Sequence, residues 1–427
     1  MNFGGPSGQI ALMHQELVDR RGWIDEDRFL HALGFCMVLP GPEAQQLAIY
    51  IGWLLHRTIG GLIAGIGFVA PSALLMLVLS WTYAVHGDVG WVSGLFAGLA
   101  AGVLGMVVAA LLQLGSRALG TPAALAIAAA SFVAIFLVGV PFPVVVVAAG
   151  AGGAVADRVR PGVIRAPTEV GDGPARSAVE EQLGAPHTRP SRRRTMHVLV
   201  VGLAVWWVPL LAVIAWRGPG DTLTTEALFF SGAAMVTFGG AYAVLAFVNQ
   251  AAVVRYGWLS PGDVVAGLGL AESTPGPLIM VVQFVGFLAA YRFPGDLPPL
   301  VAGVLGSAVT VWATFAPCFL WIFLGAPYVE RLRGDRRLGA ALGAITAAVV
   351  GVIASLALTF GVHVLFDRIE VVTTLGAAVP VPDIGTVDPF ALAIAATAFV
   401  AIHRFRANPA PVALVCGLAG LIRAIAA

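Results

Sequence analysis

Lysine is absent from this 427-residue chain, so all 24 of its basic residues are arginine. The bias reads as composition rather than chemistry. Charge of either sign is scarce: Asp, Glu, Lys and Arg make up 11% of the chain, where soluble domains carry about a quarter. With 59% hydrophobic residues beside it, that figure excludes an ordinary soluble protein. Nucleic acid is not expected as a partner. Three cysteines, Cys36, Cys318 and Cys416, lie far apart in apolar runs. They exclude a CxxC motif and a disulfide framework, and read as packing. No HExxH and no paired Asp-rich motif occurs, which sets aside a membrane enzyme. No cofactor or metal is expected, and no signal peptide precedes the first apolar run.

What the chain has is apolar length. A run of about 20 residues can cross the hydrocarbon core. Thirteen segments are marked on that basis: 3–19, 29–56, 59–85, 91–114, 122–138, 141–156, 197–216, 227–253, 264–291, 298–326, 338–366, 389–403 and 410–426. The expected fold class is an all-α integral membrane protein of about 12–13 transmembrane segments. With the 157–196 loop placed in the cytoplasm, seventeen arginines fall in inside loops and six in outside loops. That bias follows the positive-inside rule and puts the N-terminus inside and the C-terminus outside. Residues 157–194 mix Arg, Pro, Gly and acids with few large apolar residues, and read as a linker.

An internal repeat organises the rest. Shifted by 235 positions, "FGGPSGQIALMHQELVDRRGW" lies on "FGGAYAVLAFVNQAAVVRYGW", and 14 of 40 aligned positions are identical, including Pro40, Gly41 and Pro42. Each half holds six segments with 197–216 between them, so the second half enters the membrane from the opposite side. The expected domains are 1–156 and 222–427 as inverted halves, 157–196 as a cytoplasmic linker and 197–216 as a connecting helix. Only Met1 and Asn2 precede the first "FGG", where the second has an apolar stretch, so a shortened first helix is expected. Inverted repeats place a substrate site near the midplane on broken helices.

The breaks are "LPGP" at 39–42 and "TPGP" at 274–277. Proline donates no N–H and turns the preceding residue away from helix, leaving the carbonyls of Cys36, Val38, Ala271 and Ser273 without helical partners. In hydrocarbon such orphans persist only inside protein or beside a wet cavity. Pro42 and Pro277 suit the first position of a new helix, whose free amides favour an anion. The glycine pairs Gly4–Gly5 and Gly239–Gly240 are expected to break their helices likewise. Four such N-termini would offer about two positive charges, suited to a dianion.

Polar residues beside the breaks complete the candidate site. Expected to bind substrate are Gly4, Gly5, Pro40, Gly41, Pro42, Gln46, Gly239, Gly240, Pro275, Gly276 and Pro277. Arg20 and Arg255, each three residues before a tryptophan, either guide anions or anchor the interface. Glu43, Glu272 and His14 are candidate proton carriers, because intramembrane ionisable residues default to function.

The paired "FGGP…RRGW…LPGP..QQLA" and "FGG…RYGW…ESTPGP…QFVGF" resemble the chromate transporter (CHR) family in its long form with two homologous halves. The resemblance covers nearly the whole chain. It implies an inner-membrane carrier that exports chromate, confers chromate resistance and draws on the proton-motive force. Its partners would be chromate, protons and the lipid bilayer, with transport of sulfate or another tetrahedral oxyanion as the alternative, an anion channel as the less favoured one, and a homodimer left open. The family motifs correspond to Phe3–Pro6, Pro40–Pro42 and Gln46. Gln9 and Glu43 depart from it, where a histidine and a small polar residue are usual. A dianion leaving a negative interior gains about 4.6 kcal/mol per 100 mV, which favours export over import.

Overall fold

The structure, a computed structural model, describes residues 5–24, 26–87, 89–160, 163, 191–236, 241–274, 277–328, 336–374 and 377–426. Among them are α1 (Gly5–His14), α2 (Glu26–Val38), α3 (Glu43–His86), α4 (Gly90–Ala118), α5 (Pro122–Phe136) and α6 (Phe142–Val159). Then come α7 (Arg192–Arg217), α8 (Thr222–Val236), α9 (Ala241–Asn249), α10 (Pro261–Ser273), α11 (Val281–Arg292) and α12 (Pro299–Gly325). The chain ends with α13 (Arg336–Leu365), α14 (Pro389–His403) and α15 (Pro409–Ala426). An antiparallel hairpin, β1 (Ile369–Thr374) and β2 (Ala377–Pro382), pairs Ile369 with Pro382 between α13 and α14. It is an addition to the all-α expectation.

Among the described residues, seven helices are long and apolar enough to cross a membrane. Their outward faces are apolar: Ile63 and Leu74 on α3 and Val208 on α7 are all more than 60% exposed. In water those surfaces would be costly; against lipid they are matched. The 44-residue α3 is not one span. His56 (φ −134°) and Arg57 (φ 55°, ψ −151°) are non-helical, and a Cβ on Gly52 would lie 2.5 Å from the Gly60 carbonyl. Residues eight apart on a continuous helix stand about 12 Å apart. The chain therefore reverses at His56–Arg57 into arms 43–55 and 58–86, where the sequence separates 29–56 from 59–85. At the same repeat position α11 and α12 fold back on each other across 293–298, with Gly286 against Gly306. Expected segment 29–56 resolves into α2 and the short arm of α3, and 264–291 into α10, a 3-10 turn and α11. Segment 227–253 falls on α8, α9 and the residues after them.

Local ends follow capping chemistry. Ser260 and Asp263 form a reciprocal capping box at α10, and the Asp388 carboxylate accepts from the amides of Phe390 and Ala391 at α14. The repeat is visible in the backbone. Both α1 and α9 widen into π-helical turns, at Gln15–Arg20 and Gln250–Arg255. Each turn ends on a left-handed glycine, Gly22 (φ 58°) or Gly257 (φ 62°). Trp23 N donates to Leu17 O and Trp258 N to Ala252 O, both at 2.8 Å.

The helices gather into two compact units. The first holds Met1–Leu77, Thr168–Ala241 and Pro275–Asp335; the second holds Val78–Pro167, Tyr242–Thr274 and Arg336–Ala427. The core of the first joins Phe29, Phe35 and Cys36 of α2 to Leu47, Ile49 and Trp53 of α3 and to Cys318 and Ile322 of α12. In the second, α4 packs on α13, α14 and α15. There a cavity of about 550 Å³ is lined by Tyr83, Asp263, His363 and the Asp388–Arg423 ion pair, among others.

Candidate functional site

The first Pro–Gly–Pro break lies in the first unit, between α2 and α3. Gly41 holds φ +117°, a region in which side chains are strained. Its missing Cβ leaves room for the Cys318 thiol, which would stand 2.9 Å away, and for Gln46 Nε2 at 3.0 Å. The carbonyls are satisfied differently from the expectation. Leu39 N donates to Cys36 O at 3.1 Å, so that carbonyl is not an orphan; Gln46 Nε2 donates instead to Pro40 O at 2.7 Å. Pro42 stands one residue before the helix rather than in it, because Glu43 is the first helical residue. The first intrahelical bond runs from Gln46 N to Pro42 O at 3.0 Å. The amides of Glu43, Ala44 and Gln45 thus precede the ladder and have no partner within it.

Around these amides the side chains are polar and enclosed. Gln45 and Gln46 are both 0% exposed. Neither polar atom of the Gln45 amide has a hydrogen-bond partner among the described residues, and nor does Gln46 Oε1. Thr314 on α12 is buried with an unpartnered hydroxyl, one turn from Cys318, whose thiol reaches Thr314 O at 3.7 Å. Glu43 sits half-buried in the first turn of α3. An enclosed amide without partners costs about 1–3 kcal/mol unless something fills it. A helix N-terminus with amide and hydroxyl donors beside it can receive an oxyanion.

The structure brings Pro40, Gly41, Pro42, Glu43 and Gln46 together, and adds Gln45 and Cys318, with Thr314 one turn from Cys318 on α12. Gln45 carries a sequence signal, since it follows the break directly; Thr314 and Cys318 arrive from a distant helix and have none. Arg20 belongs to the first unit but is exposed, and donates to Glu16 at 2.5 Å. His14 lies beside Asp19 (3.5 Å) and Glu26 (3.8 Å), edge-on to Phe29. Arg255 is exposed over the Tyr256 ring and belongs to the second unit. Gly5 opens α1.

At the second break, Pro277 is buried and precedes a 3-10 turn at Leu278–Met280, again one residue ahead of where the sequence puts it. The Thr274 hydroxyl donates to Ala271 O at 3.1 Å, so this carbonyl is satisfied too. Gln283 Nε2 donates to Ser307 Oγ at 2.7 Å and to Ala73 O at 2.8 Å. Gly4, Gly239, Gly240, Pro275 and Gly276 lie outside the described residues, as does the side chain of Glu272 near the end of α10.

Comparison with known proteins adds the family. The family described as chromate transporter matches residues 1–154 and 225–421, the two repeated regions. A chromate transport protein of Cupriavidus metallidurans is 30% identical over 384 residues, 89% of this chain and 84% of its own. One from Pseudomonas aeruginosa is 29% identical over 98% of this chain and 88% of its own. A probable chromate transport protein of Synechococcus elongatus is 28% identical over 86% and 83%. No solved structure matches this fold.

Proposed function

The chain belongs to the chromate transporter family, and on that premise we propose that it exports chromate across the inner membrane as a secondary transporter. The proton-motive force drives it, and the outcome for the cell is chromate resistance. The observation that carries the site is Gln45, a fully buried amide without hydrogen-bond partners at the free N-terminus of α3. The α3 amides, the Gln45 NH₂ and the Thr314 hydroxyl supply donors to a tetrahedral dianion, and the helix end adds about half a positive charge. Gln46 is held by Pro40 O and fixes the turn. Glu43, half-buried in the first turn of α3, is a carboxyl that can trade a proton against the anion. Arginine placement supports a cytoplasmic N-terminus, an extracytoplasmic C-terminus and inverted halves.

Gln45→Ala tests the site. Losing a hydrogen bond to a charged ligand costs about 1.5–3 kcal/mol, so KM for chromate uptake into proteoliposomes should rise about tenfold or more. The protein should stay folded, because the amide satisfies nothing else. An unchanged KM would sink the site. Sulfate carried better than chromate would keep the site and replace the substrate.

A further inference from the structure

A second carboxyl, outside the Pro–Gly–Pro break, is buried more completely than Glu43. Glu226 on α8 is 0% exposed, and neither of its oxygens has a hydrogen-bond partner among the described residues. The Ala290 amide lies nearby but outside hydrogen-bonding geometry. One oxygen would stand 2.8 Å from a Cβ on Gly306, so the carboxyl lies flat against α12 where only glycine leaves room. An unpaired carboxylate in such a place is too costly to keep, and the group is carried as the neutral acid.

The charged groups around it are already engaged. Arg217, at the end of α7, donates to Asp221 through Nε (3.2 Å) and Nη2 (2.9 Å), and also to Asp296 in the loop between α11 and α12. Asp221 also caps α8 through the Leu223 amide at 2.9 Å. Helix α12 has no charged residue, and α11 carries Tyr291 and Arg292 only in its last turn. Asp296 is 80% exposed, so the Arg217–Asp221–Asp296 cluster opens to solvent. The Arg217 guanidinium beside Asp296 holds its carboxyl below the usual range. Glu226 stands five residues further along α8 than Asp221.

From Glu226 one face of α12 continues toward the break. Gly306, Ser307, Thr310, Thr314 and Cys318 recur at helical spacing on its buried side, over about 18 Å. Serine and threonine in apolar helices usually donate back to the carbonyl four residues before. Thr82, Thr346, Thr359 and Thr397 do so here. Thr310 and Thr314 do not: both hydroxyls are buried and unpartnered. Ser307 accepts from Gln283, near the second break, and Cys318 lies against Gly41 at the first. Neighbouring members stand one turn apart, about 5–6 Å, a gap that one water bridges.

We propose that Glu226 and the hydroxyl row Ser307–Thr310–Thr314 form a proton path from the Arg217–Asp221–Asp296 face to the anion site at Gly41. It rests on that site being where chromate binds. The carboxylic acid passes its proton to the first hydroxyl, each hydroxyl passes its own onward, and the carboxylate is reprotonated from the solvent side. Glu226 touches no anion; it supplies the countermoving charge.

Full-length protein in proteoliposomes separates the two readings through chromate–chromate exchange and through net flux driven by a pH gradient. In Glu226→Gln, gradient-driven flux should fall about a hundredfold, as on loss of a proton-transfer group, while exchange falls no more than a few-fold. Thr310→Val should slow gradient-driven flux in the same direction. Infrared spectra of the wild type should show a protonated-carboxyl C=O band that shifts when chromate is added and is missing from Glu226→Gln. Gradient-driven flux that survives Glu226→Gln, or a wild-type spectrum without that band, would overturn the path. The absence of that band from the wild type overturns the path even if the variant fails to fold. Wild-type vesicles that exchange no chromate would overturn the anion site itself.

Discussion

Gly41→Val is expected to cut chromate transport about a hundredfold while leaving most of the protein folded. Two penalties meet at this residue. Its φ of +117° is a conformation that a β-branched residue does not adopt without strain of about 1–3 kcal/mol. A Cβ there also meets Cys318 Sγ at 2.9 Å and Gln46 Nε2 at 3.0 Å. The cheapest relief turns Gly41 out of the break, which pulls Pro40 O from Gln46 and moves the α3 N-terminus away from Thr314. A misplacement of about 1 Å in a site that must hold its ligand precisely oriented can cost a hundredfold, and gradient-driven chromate flux should fall by about that factor. Gly67→Ala, where nothing lies within 4 Å, should be neutral. The double variant Gly41→Ala/Cys318→Ala separates the causes. Removing the thiol relieves the contact and leaves the φ strain, so it should recover part of what Gly41→Ala loses. Full activity in Gly41→Val would show that the turn does not shape the site.

Gly98→Leu is expected to cost much of the folded protein through the packing of the second unit. Gly94, Gly98 and Gly102 recur every fourth residue on α4 and face Cys416, Gly420 and Ala424, at the same interval on α15. A Cβ on Gly98 would lie 2.2 Å from Cys416 O, and one on Gly420 2.2 Å from Gly94 O. These are backbone atoms of the facing helix, so no side-chain rotation relieves them. In lipid the helices have no hydrophobic drive to associate, and close approach through small residues takes its place. Overpacking costs about 1–3 kcal/mol where neighbours can shift, and more where they cannot. Gly98→Leu should therefore lower the yield of monodisperse detergent-solubilised protein and its melting temperature. Gly152→Leu, at an open position, should do neither. A normal melting temperature for Gly98→Leu would mean that α4 and α15 do not pack this closely.

The readable parts of this protein are those whose cause is local. Proline removes its own N–H and restricts its own neighbour, so "LPGP" announced a break wherever the chain put it, and the fold shows one between α2 and α3. Apolar length marked the spans, and Arg57 lies at the reversal between the arms of α3. The repeat was readable because identical residues make identical local geometry, down to Trp23 and Trp258 making the same backbone bond. The π-helical turns at 15–20 and 250–255 lacked a sequence signal, because no residue type there demands the extra width. The β-hairpin at 369–382 did too, lying between spans where apolar length carries no signal.

By itself, then, the sequence determined the membrane class, the doubled pattern and the places where helices break. Tertiary structure decided which groups face each break and which are left without partners. Cys318, with Thr314 one turn before it, joins Gly41 from more than 270 positions away, and Glu226 gains its setting from a glycine 80 residues on. The physical reason is that a break follows from covalent geometry within a few residues. Burial and an unmet hydrogen bond depend on what the rest of the chain brings alongside.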